Sequence, residues 1–277
     1  MVTTEAVSVS VIMPVYAARK TIEAAVQSVL VQKHAILELI VVVDDAVDYS
    51  GLVPRDSRIR WLVTGSVGAG PSRARNLGLE AAAGNLISFL DSDDVWRPDK
   101  LRVLGPLALR HGVALDNSCY RYGERSLPCQ TYWNDPPAGW QELAYFGRIS
   151  QPLWPVFRRD SVGPVRFPEG LRFAEDAVFN MAVIARNGGA WLWPLPLHEY
   201  GVRECSLSHS GDTVLQASQA YEWILGELRS GRLLHFPETH KQAAIDIFEA
   251  REVCNQAFGA SGLTEFHAFE RWVRARE

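Results

Sequence analysis

The chain has 277 residues, 47% hydrophobic and 22% charged, enough to bury the core of one large domain or a domain with an appendage. Lys plus Arg number 28 against 32 Asp plus Glu, and a net charge of −4 argues against broad electrostatic binding of nucleic acid. Apolar runs such as Leu39 to Val43 fall short of the roughly 20 residues that span a bilayer. The N-terminus carries no basic stretch or cleavage signal, and four cysteines (Cys119, Cys129, Cys205, Cys254) lack Cys-x-x-Cys spacing. The expectation is a cytoplasmic α/β enzyme with reduced thiols.

The first third alternates strand and helix signals. Val7 to Pro14 is β-branched and reads as a strand; Thr21 to Val31 sets Ile22, Ala25, Val26, Val29 and Leu30 at helical spacing, with Thr21 as N-cap. Leu37 to Val43 is a continuous apolar strand of the kind covered on both faces, and Ile59 to Thr64 is a third. Pro71 to Ala83 is helical with Gly84 as its stop, and Asn85 to Leu90 is a strand that ends at an acidic cluster. Pro98 to Arg110 is a helix and Val113 to Cys119 a fifth strand. Such alternation predicts right-handed crossovers and a mainly parallel sheet.

From Tyr120 to Phe173 the pattern loosens. Prolines and aromatics, among them Trp133, Trp140 and Trp154, mark either a weakly patterned core or loops lining a site. A helix over 175–185 and a strand over 190–197 follow. Beyond Ser210 the chain turns helical, in segments near 213–229, 237–258 and 264–274. The expected organisation is an α/β unit over 1–210, with halves 1–119 and 120–210, and a helical extension over 211–277. Leu215, Trp223, Ile224, Leu228, Phe248, Trp272 and Val273 give that extension apolar faces, expected to pack on the α/β unit or across a homodimer.

Four elements carry chemistry. Asp91-Ser92-Asp93-Asp94 follows a strand, where open α/β sheets bind ligands, and crowded carboxylates there suit Mg²⁺ or Mn²⁺ bridging a diphosphate. The plain alternative is a solvated acidic turn. Asp44-Asp45 ends another strand on the same sheet edge and can accept from a base or a ribose. Gly70 to Asn76 opens a helix whose free N–H groups, with Arg73 and Arg75, suit a phosphate; a capped helix with solvated arginines is the bland reading. Glu175-Asp176 opens a later helix and offers a general base, although acidic first turns also serve the helix dipole. His198 and His209 flank a basic, hydroxyl-rich segment, Tyr200 to Ser210, but a lone histidine is more often packed or solvated, and the other five histidines show no recognisable spacing. Gly65, Gly68 and Gly70 are in the wrong order for a dinucleotide fingerprint, and no Walker motif occurs.

The order SVIMPVY, ELIVVVDD, GPSRARNLGLEAAAGNLISFLDSDDVWRPDKL strongly resembles glycosyltransferase family 2, closely over residues 7 to 104 and more weakly to about 210. The resemblance implies a GT-A fold, with 1–119 as the nucleotide-sugar-binding half and 120–210 as the acceptor-binding half. It implies transfer of a hexose from a nucleotide diphosphate sugar, usually a uridine one, to a saccharide or glycoconjugate acceptor with inversion. It implies a divalent cation, Mn²⁺ or Mg²⁺. Carried over by position, Pro14, Val15 and Tyr16 line the nucleoside pocket, Asp45 or Asp44 holds the base, and Arg75 positions base or phosphates. Asp91 and Asp93, with Ser92 between them, form the Asp-x-Asp pair, with Asp94 an alternative ligand. Asp176 is the base, and Arg203, Ser206 and Ser208 belong to a segment closing over the diphosphate. Two departures stand out: Ala17 replaces the usual Asn, and Ala46 follows the first Asp pair where Gly is usual. The alternatives are a sugar-nucleotide nucleotidyltransferase, which would release pyrophosphate, and a catalytically silent subunit of the same fold. Peripheral association with the inner membrane face is left open.

Overall fold

The computed structural model describes residues 7–32, 36–122, 136–147, 153–202, 213–233 and 235–263. Its first half runs β1 (Val9–Val15), α1 (Ile22–Leu30), β2 (Ile36–Val43), a 3-10 turn at Ser50–Leu52, β3 (Ile59–Val63), α2 (Pro71–Ala81), β4 (Leu86–Phe89), β5 (Val95–Trp96), α3 (Lys100–His111) and β6 (Val113–Asp116). There follow β7 (Cys119–Tyr122), β8 (Gly139–Gln141), α4 (Leu143–Gly147), β9 (Val156–Arg158), α5 (Arg159–Val162), α6 (Glu175–Asn187), β10 (Ala190–Trp193) and β11 (His198–Val202). Two long helices, α7 (Thr213–Ser230) and α8 (Glu238–Ala260), end the described chain.

One eight-stranded sheet has the order β3-β2-β1-β4-β9-β6-β10-β8, and a small second sheet has the order β5-β11-β7. β1 pairs in parallel with β2 and β4, β2 with β3, and β6 with β10. β9 is antiparallel between β4 and β6, and β8 is antiparallel at the edge.

Period-two alternation explains why the central strands are apolar throughout. Val9, Val11, Met13 and Val15 of β1, with Leu39, Val41 and Val43 of β2, share a core with Ile22, Val26 and Val29 of α1 and Leu101 and Leu104 of α3. The residues between them, Ile12, Ile40 and Val42, join the opposite core with Leu79 of α2 and the buried face of α6. A single-register slip would exchange the two faces.

Several predicted details change. Val113 to Cys119 is two strands in different sheets, because Asp116 is drawn to Lys100 (2.5 Å) and the chain breaks at Asn117-Ser118. α2 ends at Ala81 with Ala82 extended, so Gly84 is no left-handed stop; a Cβ there would lie 2.6 Å from Ser8 O and Ser10 N. Thr21 makes no side-chain cap. Cys119 is disulfide-bonded, against the expected reduced thiols, since spacing along the chain does not tell which thiols the fold brings together.

Ala217, Tyr221, Ile224 and Leu228 of α7 and Phe248 of α8 are buried in the core that contains α4 and α6. Leu215 and Trp223 stay exposed, at 58% and 40%, so the expected apolar face of α7 is only partly covered. The expected third helix, with Trp272 and Val273, lies outside the described residues. Among the described residues no helix is long and apolar enough to cross a membrane.

Candidate active site

Three adjacent strands bring the expected residues to one edge. Val15 pairs with Val43 and Ile12 with Phe89, so β1, β2 and β4 deliver Tyr16, Asp44-Asp45 and Asp91 to the carboxyl end of the sheet. Tyr16 is exposed there and Pro14 half-buried, but Val15 turns into the core beneath α1 and its carbonyl accepts Asp44 N–H at 2.9 Å. Val15 therefore offers no side chain to a nucleoside.

The two aspartates that the sequence leaves interchangeable have different surroundings. Asp44 is buried: Oδ1 accepts from Thr64 Oγ1 (2.6 Å) and Ala69 N (2.9 Å), and Oδ2 from Gly70 N (2.8 Å). It shapes the turn that starts α2. Asp45 is half-buried at the edge, where Oδ2 accepts from Ala17 N (2.7 Å) and Tyr49 Oη (2.6 Å) and Oδ1 from Val47 N (3.2 Å). Burial works against its charge, but these donors prevail and hold Asp45 below the usual carboxylate range. Ala17 and Ala46 flank this network in left-handed conformation, with φ of 51° and 56°.

Arg75 differs most from its expected role. It is buried, with its guanidinium 4.7 Å from the Trp154 ring and 5.4 Å from Phe167. Nη2 donates to Asp91 Oδ1 (2.8 Å) and Nη1 to Glu175 Oε1 (2.9 Å). Both prongs serve carboxylates, so Arg75 is not placed to grip a phosphate. Burial opposes its charge, and Asp91 and Glu175 outweigh burial to hold its pKa above the usual guanidinium range. Trp154 is likewise buried and presents no ring to a sugar. Arg73 is half-exposed, with Nη1 3.4 Å from Glu169 Oε1.

The bridge sets the start of α6. Ala174 precedes it at φ 60°, Glu175 turns inward to Arg75, and Asp176 beside it is half-buried. Burial, reinforced by Glu175, pushes the Asp176 carboxyl up to about 6, with Arg75 pulling the other way. A carboxylate with that pKa, at the head of a helix beside the sheet edge, suits general-base work near neutrality.

Within Asp91-Ser92-Asp93-Asp94 the residues separate by environment. Asp91 and Asp93 are half-exposed, whereas Ser92 is buried and offers no ready contact at the edge. Asp94 is fully buried; its Oδ1 accepts from Gly201 N (2.8 Å) and its Oδ2 pairs with His198 Nε2 (2.8 Å). Both oxygens are held inside the protein, which sets Asp94 apart from the half-exposed Asp91 and Asp93. Among the described residues no three His, Cys, Asp or Glu side chains form a ready metal cluster. Asp91 and Asp93 together offer hard oxygen donors of the type Mg²⁺ or Mn²⁺ takes.

His198, Lys100 and Asp116 were missed from the sequence. Burial, reinforced by Lys100, pushes His198 down to about 3, so it is neutral. Only its place in the fold, beside a buried carboxylate, distinguishes it from a packed core histidine. Arg203, Ser206 and Ser208 lie outside the described residues.

The model of Glycosyl transferase family 2 matches residues 10–159, which include both aspartate pairs and the Arg75 helix. The chain belongs to glycosyltransferase family 2. It is 42% identical over 109 residues to the Escherichia coli UDP-Glc:alpha-D-GlcNAc-diphosphoundecaprenol beta-1,3-glucosyltransferase WfgD, covering 38% of this chain and 43% of that one. It is 30% identical over 226 residues to the Rhizobium meliloti succinoglycan biosynthesis protein ExoO, covering 72% and 62%. The chain thus spans about half the length of these relatives. The crystal structure of S. aureus TarS 1-349 in complex with UDP matches with a TM-score of 0.66 at 21% identity, over 88% of this chain and 71% of that one. The mainly parallel sheet flanked by helices is the GT-A arrangement, as the sequence leads one to expect.

Proposed function

We propose that this family 2 member moves a sugar from a uridine diphosphate sugar to a hydroxyl of a saccharide or glycoconjugate acceptor, inverting the anomeric carbon. The observation that carries the reading is the Arg75 bridge. It ties Asp91, at the donor edge, to Glu175, and so places Asp176 next to the same edge. UDP in the TarS complex and UDP-Glc in the name of the E. coli relative support the nucleotide.

In this reading Tyr16 and Asp45 receive the uracil and ribose. Asp91 and Asp93 would hold Mn²⁺ or Mg²⁺, which when bound would supply charge neutralisation for the diphosphate. Asp176 accepts the proton of the acceptor hydroxyl as its oxygen bonds to the anomeric carbon. The bond from that carbon to the phosphate oxygen breaks, and UDP leaves with its electron pair. One displacement on the face opposite UDP inverts the centre. The raised pKa of Asp176 fits a group that must take up a proton in the transition state.

The test is a panel of UDP-sugars with Mn²⁺ and oligosaccharide or lipid-linked acceptors, scored for UDP release and for the anomeric configuration of the product by NMR. The expected result is UDP, not pyrophosphate, and a product inverted relative to the donor. Pyrophosphate release, or retention of configuration, contradicts the reading.

A further inference from the structure

The Asp91–Asp94 turn bridges the two sheets. It leaves β4 of the large sheet and enters β5 of the small one, where Trp96 pairs with His198 and Val95 with Glu199 of β11. β11 and its neighbour β7 grip the turn from behind. Gly201 N–H and His198 Nε2 take the two oxygens of Asp94, and Arg121 Nη2 donates to Asp93 O at 2.8 Å. Gly201 approaches so closely that a Cβ there would lie 2.1 Å from Asp93 O.

β11 is itself pinned at its start. Asp116 Oδ2 accepts Leu197 N–H at 2.8 Å, while its Oδ1 accepts from Lys100 Nζ at 2.5 Å and Lys100 also reaches Trp154 O at 3.3 Å. Lys100 and Asp116 are buried, so this anchor is shielded from solvent. His198 Nδ1 is buried with no hydrogen-bond partner among the described residues, a cost that an apolar residue of similar volume would avoid. What histidine adds at this place is the Nε2–H donor to Asp94.

We propose that His198 is a positioning residue of the donor site: acting through Asp94, it sets the turn so that Asp91 and Asp93 present their oxygens to the cation and diphosphate. The inference rests on the reading of Asp91 and Asp93 as cation ligands. It assigns β11 a task beyond closing a small sheet.

The test compares wild type, His198→Leu and His198→Gln, whose side-chain amide can keep a donor near the Nε2 position. Calorimetry measures UDP binding with Mn²⁺ and with chelator, and thermal melting checks the fold. Loss of a group that orients a metal ligand typically weakens metal binding by 10- to 100-fold. His198→Leu is expected to weaken Mn²⁺-dependent UDP binding by at least about tenfold, leave binding in chelator unchanged, and be largely rescued in His198→Gln. The donor KM should rise in step, with kcat changed less. If His198→Leu does not fold, Gly201→Ala, which pushes on Asp93 O from the same strand, takes its place and should show the same selective loss. A folded His198→Leu, or a folded Gly201→Ala in its stead, that binds Mn²⁺ and UDP as wild type does overturns the positioning role. Wild-type UDP binding indifferent to Mn²⁺ instead overturns the cation reading, and the inference with it.

Discussion

Arg75 Nη2 donates to Asp91 and Nη1 to Glu175, so one buried guanidinium ties the end of β4 to the first turn of α6, whose Glu175 stands 100 residues after Arg75 in the chain. That fork joins the carboxyl edge of the sheet to the helix that carries Asp176. Its planar fork aims donors at two carboxylates in fixed directions, which a compact ammonium on a flexible stem does not reproduce.

Arg75→Met should therefore act on the fold as well as on activity. Breaking a buried ion pair by removing one partner costs about 3–5 kcal/mol. A large fall in melting temperature together with lost transfer is expected, and Arg75→Lys should rescue little. An Arg75→Met protein as stable as wild type, with only UDP binding impaired, would return Arg75 to the phosphate.

Asp93 and Asp94, neighbours in sequence, should behave differently. Asp93→Ala is expected to abolish the effect of Mn²⁺ on UDP binding and leave the melting temperature nearly unchanged. Asp94→Ala removes the acceptor of the Gly201 N–H and that of His198 Nε2 inside the protein, so it should lower stability by at least about 1–3 kcal/mol. Urea unfolding of both variants checks this.

Much of the fold was legible because burial on both faces leaves a strong record. The runs at Val7 to Pro14, Leu37 to Val43 and Asn85 to Leu90 have few polar residues, and each is a strand within a residue or two at its ends. β9 was not legible. It is three residues long, follows Pro155, and takes its place through pairing with β4 and β6 far away in sequence. The site was legible as a set of acidic strand ends, but not as a division of labour. Asp44 and Asp45, or Asp93 and Asp94, look alike in sequence; what separates them is which lies under the turn and which on it. The carboxylate partners of Arg75 were not legible for a related reason, since an arginine in a helix's first turns gives no sign that they stand 16 and 100 positions away.

The two departures from the family pattern lie at strained positions. Ala17 and Ala46 adopt left-handed φ, where Asn or Gly is better tolerated, and left-handed backbone costs other residues roughly 1–2 kcal/mol. Ala17→Asn and Ala46→Gly should each raise stability, by up to about 1 kcal/mol once the entropy of the unfolded chain is counted for glycine. Chemical denaturation of the two single variants measures it; a loss of stability in both would mean the backbone is not strained there.

The raised pKa of Asp176 has consequences for pH in two directions. Its ordinary value is 3.8 and its folded value about 6, so between them the folded protein holds a proton that the unfolded chain has released. Its contribution to stability is present below about 3.8 and is lost as pH rises through about 6. Asp176→Asn should then melt higher than wild type at pH 8, with the difference shrinking toward pH 4. Activity runs the opposite way: kcat/KM should climb with pH through about 6 as the base ionises.

The central claim is that Asp176 takes the proton while the donor is held elsewhere, and one paired measurement tests it most directly: UDP affinity with Mn²⁺ and transfer rate, both on Asp176→Asn and on Glu175→Gln. Asp176→Asn should bind UDP as wild type does and transfer sugar about 10²- to 10⁴-fold more slowly, the usual loss for a general base. Glu175→Gln, which weakens the hold of Arg75, should lose more in stability than in rate. Full transfer activity in Asp176→Asn, or a greater loss of rate in a stable Glu175→Gln, would contradict the assignment and move the base from Asp176.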